Sequence, residues 1–307
     1  MKNFFSSSAK IFKYAITIIA AIILAGSVVV GVLNFNKSVE LGGGYYAKVT
    51  FVEPSEYQNL KEKTSEAITS KGYKIVSAEL ERSTASDSVV IKFKAKQVDV
   101  QALKTAIAEK AGITEALIDI NSFSHSYSYN KMTLSVVILA VVALGLFVFG
   151  AIRKGTPLAV TLLVGFVADM LACVSLVAIT RIELSITILY LPMIFALAKF
   201  VIFEFCRLRA ENIVDAENVS FTDALNRVTF GNKWLYLAGN LVLLVMFAIF
   251  AILGNRALMM AGFAGIISVV VSAVMLIAVD LPLYVTLLNT KAAKQKAVMS
   301  RNKTASK

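Results

Sequence analysis

The sequence predicts a polytopic α-helical membrane protein that carries one small α+β domain after its first helix. Three observations lead there. Of 307 residues, 57% are hydrophobic and only 17% charged, and the mean hydropathy is +0.73, too apolar for an ordinary water-soluble chain of this length. Six stretches are apolar for about 20 residues, enough to cross a hydrocarbon layer of roughly 30 Å as a helix. Between the first two, residues 34–131 turn polar, with lysine and arginine nearly balancing aspartate and glutamate.

The first span covers about Tyr14–Leu33. Its basic start imitates a signal peptide, but its apolar run is longer than the usual h-region and continues past the small residues Ala25, Gly26 and Ser27. It reads as an uncleaved anchor. In the polar segment, YYAKVTFVE (Tyr45–Glu53) reads as a strand, followed by a helix that opens at Pro54 and Ser55 and ends at Gly72. KIVSAELER and SVVIKFKAK alternate apolar with polar residues around Ser83–Asp87, the pattern of a hairpin. Asp99 starts a second helix closed by Gly112, and ALIDINSF supplies the last strand. The order β-α-β-β-α-β is the ferredoxin-like split arrangement, a fold that hosts many functions and names none.

His125, the single histidine, lies in SHSYSYN just before the second span. With no second histidine, cysteine or acidic cluster around it, no metal is expected. The serine and tyrosine run reads as a wet collar, because tyrosine favours the membrane interface.

The remaining spans cover about Met132–Ile152, Thr156–Thr180, Ser185–Phe205, Trp234–Leu253 and Ala257–Leu281. The formal net charge of +11 is not a nucleic-acid signature, because lysines and arginines collect at alternate helix ends. Lys2, Lys10 and Lys13, then Arg153 and Lys154, then Arg207, Arg209, Arg227 and Lys233, then the tail from Lys291 mark one side; only Arg181 and Arg256 occupy the short loops opposite. The positive-inside rule therefore places both termini in the cytoplasm and the α+β domain outside. The tail KAAKQKAVMSRNKTASK reads as a solvated, orienting segment within reach of membrane lipid. Cys173 and Cys206 offer no disulfide framework. No cofactor is implied, since GGG at residues 42–44 lacks the lysine and hydroxyl of a phosphate-binding loop. An enzyme is the weakest reading.

Inside this apolar frame a few polar side chains stand out: Asp169, Lys199, Glu204, Asn240 and Asp280. A charge at the membrane centre costs roughly 2.5–3.5 kcal/mol on insertion scales, so it has a partner, snorkels or works. Counting from a helix end near Phe205, Lys199 lies about six residues, roughly 9 Å, from the surface, and Asp280 sits at a comparable depth. Asp169 is deeper, roughly 18–20 Å from its helix start, so Lys199 has to reach about 10 Å to meet it. Three fates stay open for Lys199: pairing with Asp280, pairing with Asp169, or snorkelling. Glu204 is expected at headgroup level.

The junction SVELGGGYYAKV resembles the G-[LI]-D-[LF]-x-G-G junction of the SecD/SecF family of protein-export membrane subunits, with Glu40 at the acidic position and Gly43 and Gly44 at the paired glycines. Further stretches resemble the same family: GFVADMLACVSLVAITRIELS in the third span with Asp169 at its aspartate, IFEFCRLRAEN after the fourth, FTDALNRVTF before the fifth, and AGFAGIISVVVSAVMLIAVDLPLYVTLL in the sixth. The resemblance spans about residues 28–290 and implies a SecF-like subunit, half of an RND-type unit. It further implies a SecD-like subunit and the Sec channel as partners, an exported unfolded polypeptide as client, and use of the proton gradient. The family's fourth-span aspartate would fall on Ala198 or Phe200, and its fifth-span arginine on Gly231, so neither residue is present. Proton coupling is thus open, with Asp169 the deepest remaining acid. An RND-type half-transporter of lipid or a small amphiphile, and a scaffold that moves no protons, are the rival readings.

Overall fold

The computed structural model describes the backbone of residues 8–305 except 52–55, 82–85, 96, 124 and 255. Side chains are further left out at 8–11, 40, 125–129, 233–235, 256 and 294–305. The chain divides into two units. One holds residues up to Asn36, Val136–Ile182 and Thr187 onward; the other holds Lys37–Ser135 with Glu183–Ile186.

The second unit is a four-stranded antiparallel sheet under two helices. After a short helix α2 (Val39–Gly42) come β1 (Gly44–Phe51), α3 (Tyr57–Ser70), β2 (Lys74–Glu81), β3 (Asp87–Lys94), α4 (Val100–Ala111), a 3-10 turn (Glu115–Leu117) and β4 (Ile118–Phe123). The spatial order is β2-β3-β1-β4, as the ferredoxin-like reading requires. Alternation puts Ala47, Val49 and Phe51 of β1 and Val89, Ile91 and Phe93 of β3 on one face, where they meet Leu60, Ala67 and Ile68 of α3 and Leu103 and Ile107 of α4. Lys48 and Lys92 alternate with these residues and so point to the other face. In β2 the pairing slips between Ile75 and Ser77, so Ile75 before the slip and Ala78 and Leu80 after it all pack on the core. The simple alternation read from KIVSAELER is corrected by this bulge, which absorbs one residue.

The caps of α4 follow from the residues read in the sequence. The Asp99 carboxylate accepts from Ala102 N–H at 3.0 Å, and Gly112 closes the helix in the left-handed region at φ 69°. Pro54, Ser55 and the turn from Ser83 lie outside the described residues. Gly43 has φ 77°, and a side chain at Gly44 would collide with the Phe93 carbonyl and Val39, so the paired glycines serve a turn and a close approach. Lys37 forms a parallel bridge with Leu184, with Ser38 N–H donating to the Leu184 carbonyl at 2.9 Å; this makes Glu183–Ile186 part of the sheet unit. Helix α5 (His125–Lys154) already begins within SHSYSYN, whose side chains up to Tyr129 lie outside the described residues.

Among the described residues six helices, which form most of the first unit, are long and apolar enough to cross a membrane: Phe12–Leu33 of α1 (Ser8–Leu33), Asn130–Lys154 of α5, α6 (Thr156–Ile179), α7 (Ile186–Glu217), Tyr236–Leu253 of α9 (Lys233–Leu253), and Ala257–Ala293. The last runs through α10 (Arg256–Met275), a π turn (Leu276–Asp280) and α11 (Leu281–Ala305). The amphipathic α8 (Phe221–Gly231) is capped by Ser220, which accepts from Asp223 N–H, and buries Ala224, Leu225 and Val228. Helices α6, α7 and α10–α11 are central: 56%, 39% and 50% of their spans are buried, against 6–11% for α1, α5 and α9. The protein is a multi-pass membrane protein with three inner and three outer spans.

One expected boundary is corrected. Helix α7 does not end near Phe205 but continues to Glu217, and the last helix likewise runs on past its apolar stretch, to Ala305. Charged ends beyond the apolar run leave the membrane without leaving the helix, and hydropathy registers only the first event.

Candidate functional site

Asp169, Lys199 and Asp280 meet in the middle of the membrane unit. Asp169 comes from α6, Lys199 from α7, and Asp280 from the last position of the π turn. All three are buried, Lys199 at 3% exposure and both aspartates at 0%. The Lys199 ammonium lies 2.6 Å from Asp169 Oδ2 and 2.6 Å from Asp280 Oδ2. These are close charge contacts, and among the described residues Oδ1 of each aspartate has no hydrogen-bond partner. Ser272 of α10 donates to Asp169 Oδ2 at 3.4 Å, and the ammonium also lies 4.6 Å from the centre of the Phe200 ring. The core cluster of this unit draws apolar residues from the same helices, among them Leu162, Phe166 and Met170 of α6, Phe200 and Phe203 of α7, and Leu276.

Snorkelling is therefore corrected, and the two pairings are not alternatives: one ammonium serves both acids. The 10 Å reach assigned to Asp169 is also corrected. It rested on a helix end at Phe205, whereas Lys199 sits thirteen residues, about 20 Å, after Ile186, and Asp169 ten residues, about 15 Å, before Ile179. Because α6 and α7 are joined by a short turn, these depths differ by about 5 Å, within one lysine arm.

Glycine makes the approach possible. A Cβ at Gly165 of α6 would collide with Asp280 Oδ1, so the aspartate occupies space that only the missing side chain leaves free.

Glu204 stands in a second ionic group. Arg207, fully buried, donates through Nε to Glu204 Oε2 at 2.7 Å, through Nη2 to Glu204 Oε1, and through Nη1 to Glu211 Oε1 at 2.5 Å. Arg153 and Lys154 of α5 add contacts to Glu204 at 3.7 Å and Glu211 at 3.1 Å. The sequence reading took Arg207 only as a marker of orientation and missed its pairing; its i+3 and i+4 spacing from Glu204 and to Glu211 was the available signal.

Asn240 donates its side-chain amide to the Tyr236 carbonyl of its own helix at 2.9 Å. Arg227 pairs with Glu217 at 2.5 Å on an exposed face. The Glu40 side chain lies outside the described residues, while Gly43 and Gly44 stand at the junction of α2 and β1 in the sheet unit.

What the triad can do follows from its charges. Two carboxylates and one ammonium leave one negative charge over in an apolar interior where an unbalanced ion is costly. One proton restores neutrality. Protonating either aspartate loosens one of two bridges and leaves the ammonium with the other acid, so proton occupancy bears on how α6, α7 and the π turn hold together.

No protein-family model and no curated protein matches the sequence. Solved structures do. The crystal structure of SecDF in a super-membrane-facing form superposes with a TM-score of 0.61 at 17% identity, covering 96% of this chain and 40% of that one. The crystal structure of SecDF from Thermus thermophilus, described as a translocon-associated membrane protein, gives 0.59 at 17% identity, covering 91% and 38%. The chain thus spans about two fifths of the length of those structures, and what the likeness establishes for it is a SecD/SecF-like membrane fold.

Proposed function

We propose that this chain is an accessory, SecF-like subunit of the Sec protein-export machinery, and that its buried triad takes up and releases one proton in the course of that work. One observation carries the second half: two buried aspartates share a single lysine, a group one proton short of neutrality. The fold likeness to a translocon-associated membrane protein supports the first half. In this reading the ends of the helices that carry Arg153, Lys154, Arg207 and Arg209 face the cytoplasm of a bacterial inner membrane, and the sheet unit lies outside, where an exported unfolded polypeptide emerges. A SecD-like subunit and the Sec channel are the partners, and membrane lipid surrounds the outer spans. The work is binding and conformational, not bond-making.

The chain's own residues supply the parts. Asp169 and Asp280 hold the proton, Lys199 balances whichever acid is ionised, Ser272 orients Asp169, and the apolar shell excludes water. In membrane vesicles that export a reporter protein, Asp169→Asn and Asp280→Asn are expected to remove the stimulation given by a proton gradient while leaving gradient-free export in place. The bridging lysine also favours a second reading, a permanently closed clasp that holds the helices for a SecD-like partner. If it is such a clasp, an uncoupler leaves export by the parent chain as it was, and both variants lower export equally with and without the gradient.

A further inference from the structure

Residues 272 and 280 are eight apart, and in an uninterrupted α-helix eight residues turn through about 800°, leaving the two side chains about 80° apart around the axis. Yet both reach the triad, Ser272 to Asp169 and Asp280 to Lys199. The π turn between them is the reason. Leu281 N–H donates to the Leu276 carbonyl, five residues back, so the turn takes up one residue more than an α-turn. With that residue absorbed the spacing becomes effectively seven, about 20° from eclipsed. Ser268, buried on the same helix, comes onto this face in the same way: its offset from Asp280 falls from about 120° to about 20°.

Two neighbours support the turn. Pro282 has no N–H to give to the Ala278 carbonyl, and its ring would press on that carbonyl in a regular helix, so the sequence disfavours α geometry at this point. Gly165 leaves room for the carboxylate once it is turned inward.

We propose that the π turn at Leu276–Asp280 and Gly165 are the positioning elements of the triad, and that the turn is the hinge through which Asp280 enters and leaves it. Reversion to α geometry rotates Asp280 by about 100° relative to Ser272. Asp280 then loses Lys199, while Asp169, Lys199 and Ser272 stay together. Asp280 is the mobile acid and Asp169 the fixed one. The hinge rests on the proton role proposed above; the register does not.

The register is tested by deleting Ala278 in a chain that also carries Pro282→Ala, which gives that position the N–H a plain α-helix needs. If the turn holds one surplus residue, the deletion restores a plain α-helix with Ser272 and Asp280 seven apart, and the full chain in lipid nanodiscs folds with Asp280 still in the triad. Melting temperatures for Lys199→Met, Asp280→Asn and their combination, measured with and without the deletion, are expected to show the same non-additivity. Deleting Val271, which lies in regular helix, should abolish folding. A deletion of Ala278 that fails to fold, or that makes the two substitutions additive, overturns the register. Gly165→Ala is expected to remove the Lys199–Asp280 non-additivity and keep the one between Lys199 and Asp169, whereas Gly239→Ala, which meets nothing within 4 Å, keeps both. Retention of the Lys199–Asp280 non-additivity in Gly165→Ala overturns the role of Gly165. The hinge is tested by export: the Ala278 deletion, with its triad locked, should lose gradient stimulation that the parent chain shows, and a deletion that responds like the parent overturns the hinge. A parent chain that shows no gradient stimulation overturns the proton role, and the hinge with it, while the register stands on the melting data.

Discussion

The sheet unit and the membrane unit bury opposite things. In the first, the interior is apolar, built from residues such as Val49, Ile68, Ile91 and Ile107, and the ion pairs Lys48–Glu81 and Lys110–Glu66 lie at the surface. In the second, Val32, Ile152 and Leu253 are among the most exposed side chains, and Asp169, Lys199, Asp280 and Arg207 are inside. Each surface matches its surroundings, water for one and hydrocarbon for the other. A charge in the sheet unit therefore says little about function. A charge in the membrane unit has been kept against a cost of several kcal/mol, and so marks the site.

Four substitutions can break or sharpen this contrast. The largest effect belongs to Lys199→Met, which strands two buried carboxylates and should cost about 3–5 kcal/mol in unfolding stability. Pairing it with Asp280→Leu recovers little, because Asp169 is left without its counter-ion; recovery should need Asp169→Leu as well. Thermal unfolding in nanodiscs reads all three, and a double variant as stable as the parent would remove Asp169 from the triad. Next is Ile91→Ala in the sheet unit, where a fully buried side chain leaves a cavity at a cost of about 3 kcal/mol. Its effect should appear in the unfolding of that unit, and an equal loss on Lys48→Ala would sink the contrast.

Arg207→Leu should come third. Its partners Glu204 and Glu211 keep side-chain exposures of 19% and 26%, so water can take over part of the lost bonding and about 2 kcal/mol remains. A loss as large as that of Lys199→Met would show that the second ionic group is as dry as the first. Smallest is Lys48→Ala, within about 0.5 kcal/mol, because both it and Glu81 are solvated. High salt should abolish what little it does.

How much could be read beforehand depended on whether the signal was local. Asp99 and Gly112 announced their caps, because a cap involves residues three or four apart. Alternation in β3 announced its buried face, yet the same argument misread β2, where a bulge changes the parity that alternation assumes. In the membrane unit, apolar length announced each span but not where each helix stops, and the false stop at Phe205 displaced the depth of Lys199 enough to separate it from Asp169.

From the sequence alone came the number of spans, the β-α-β-β-α-β order and the short set of intramembrane charges, because apolar length, periodicity and residue type are properties of neighbouring residues. Tertiary structure decided that Asp169, Lys199 and Asp280 form one group, that Gly165 makes room for it, and that a π turn brings Ser272 and Asp280 onto one face. Those outcomes depend on rotation about helix axes and on the space between helices. A single surplus residue in one turn shifts a side chain by about 100°, and hydropathy carries no record of it.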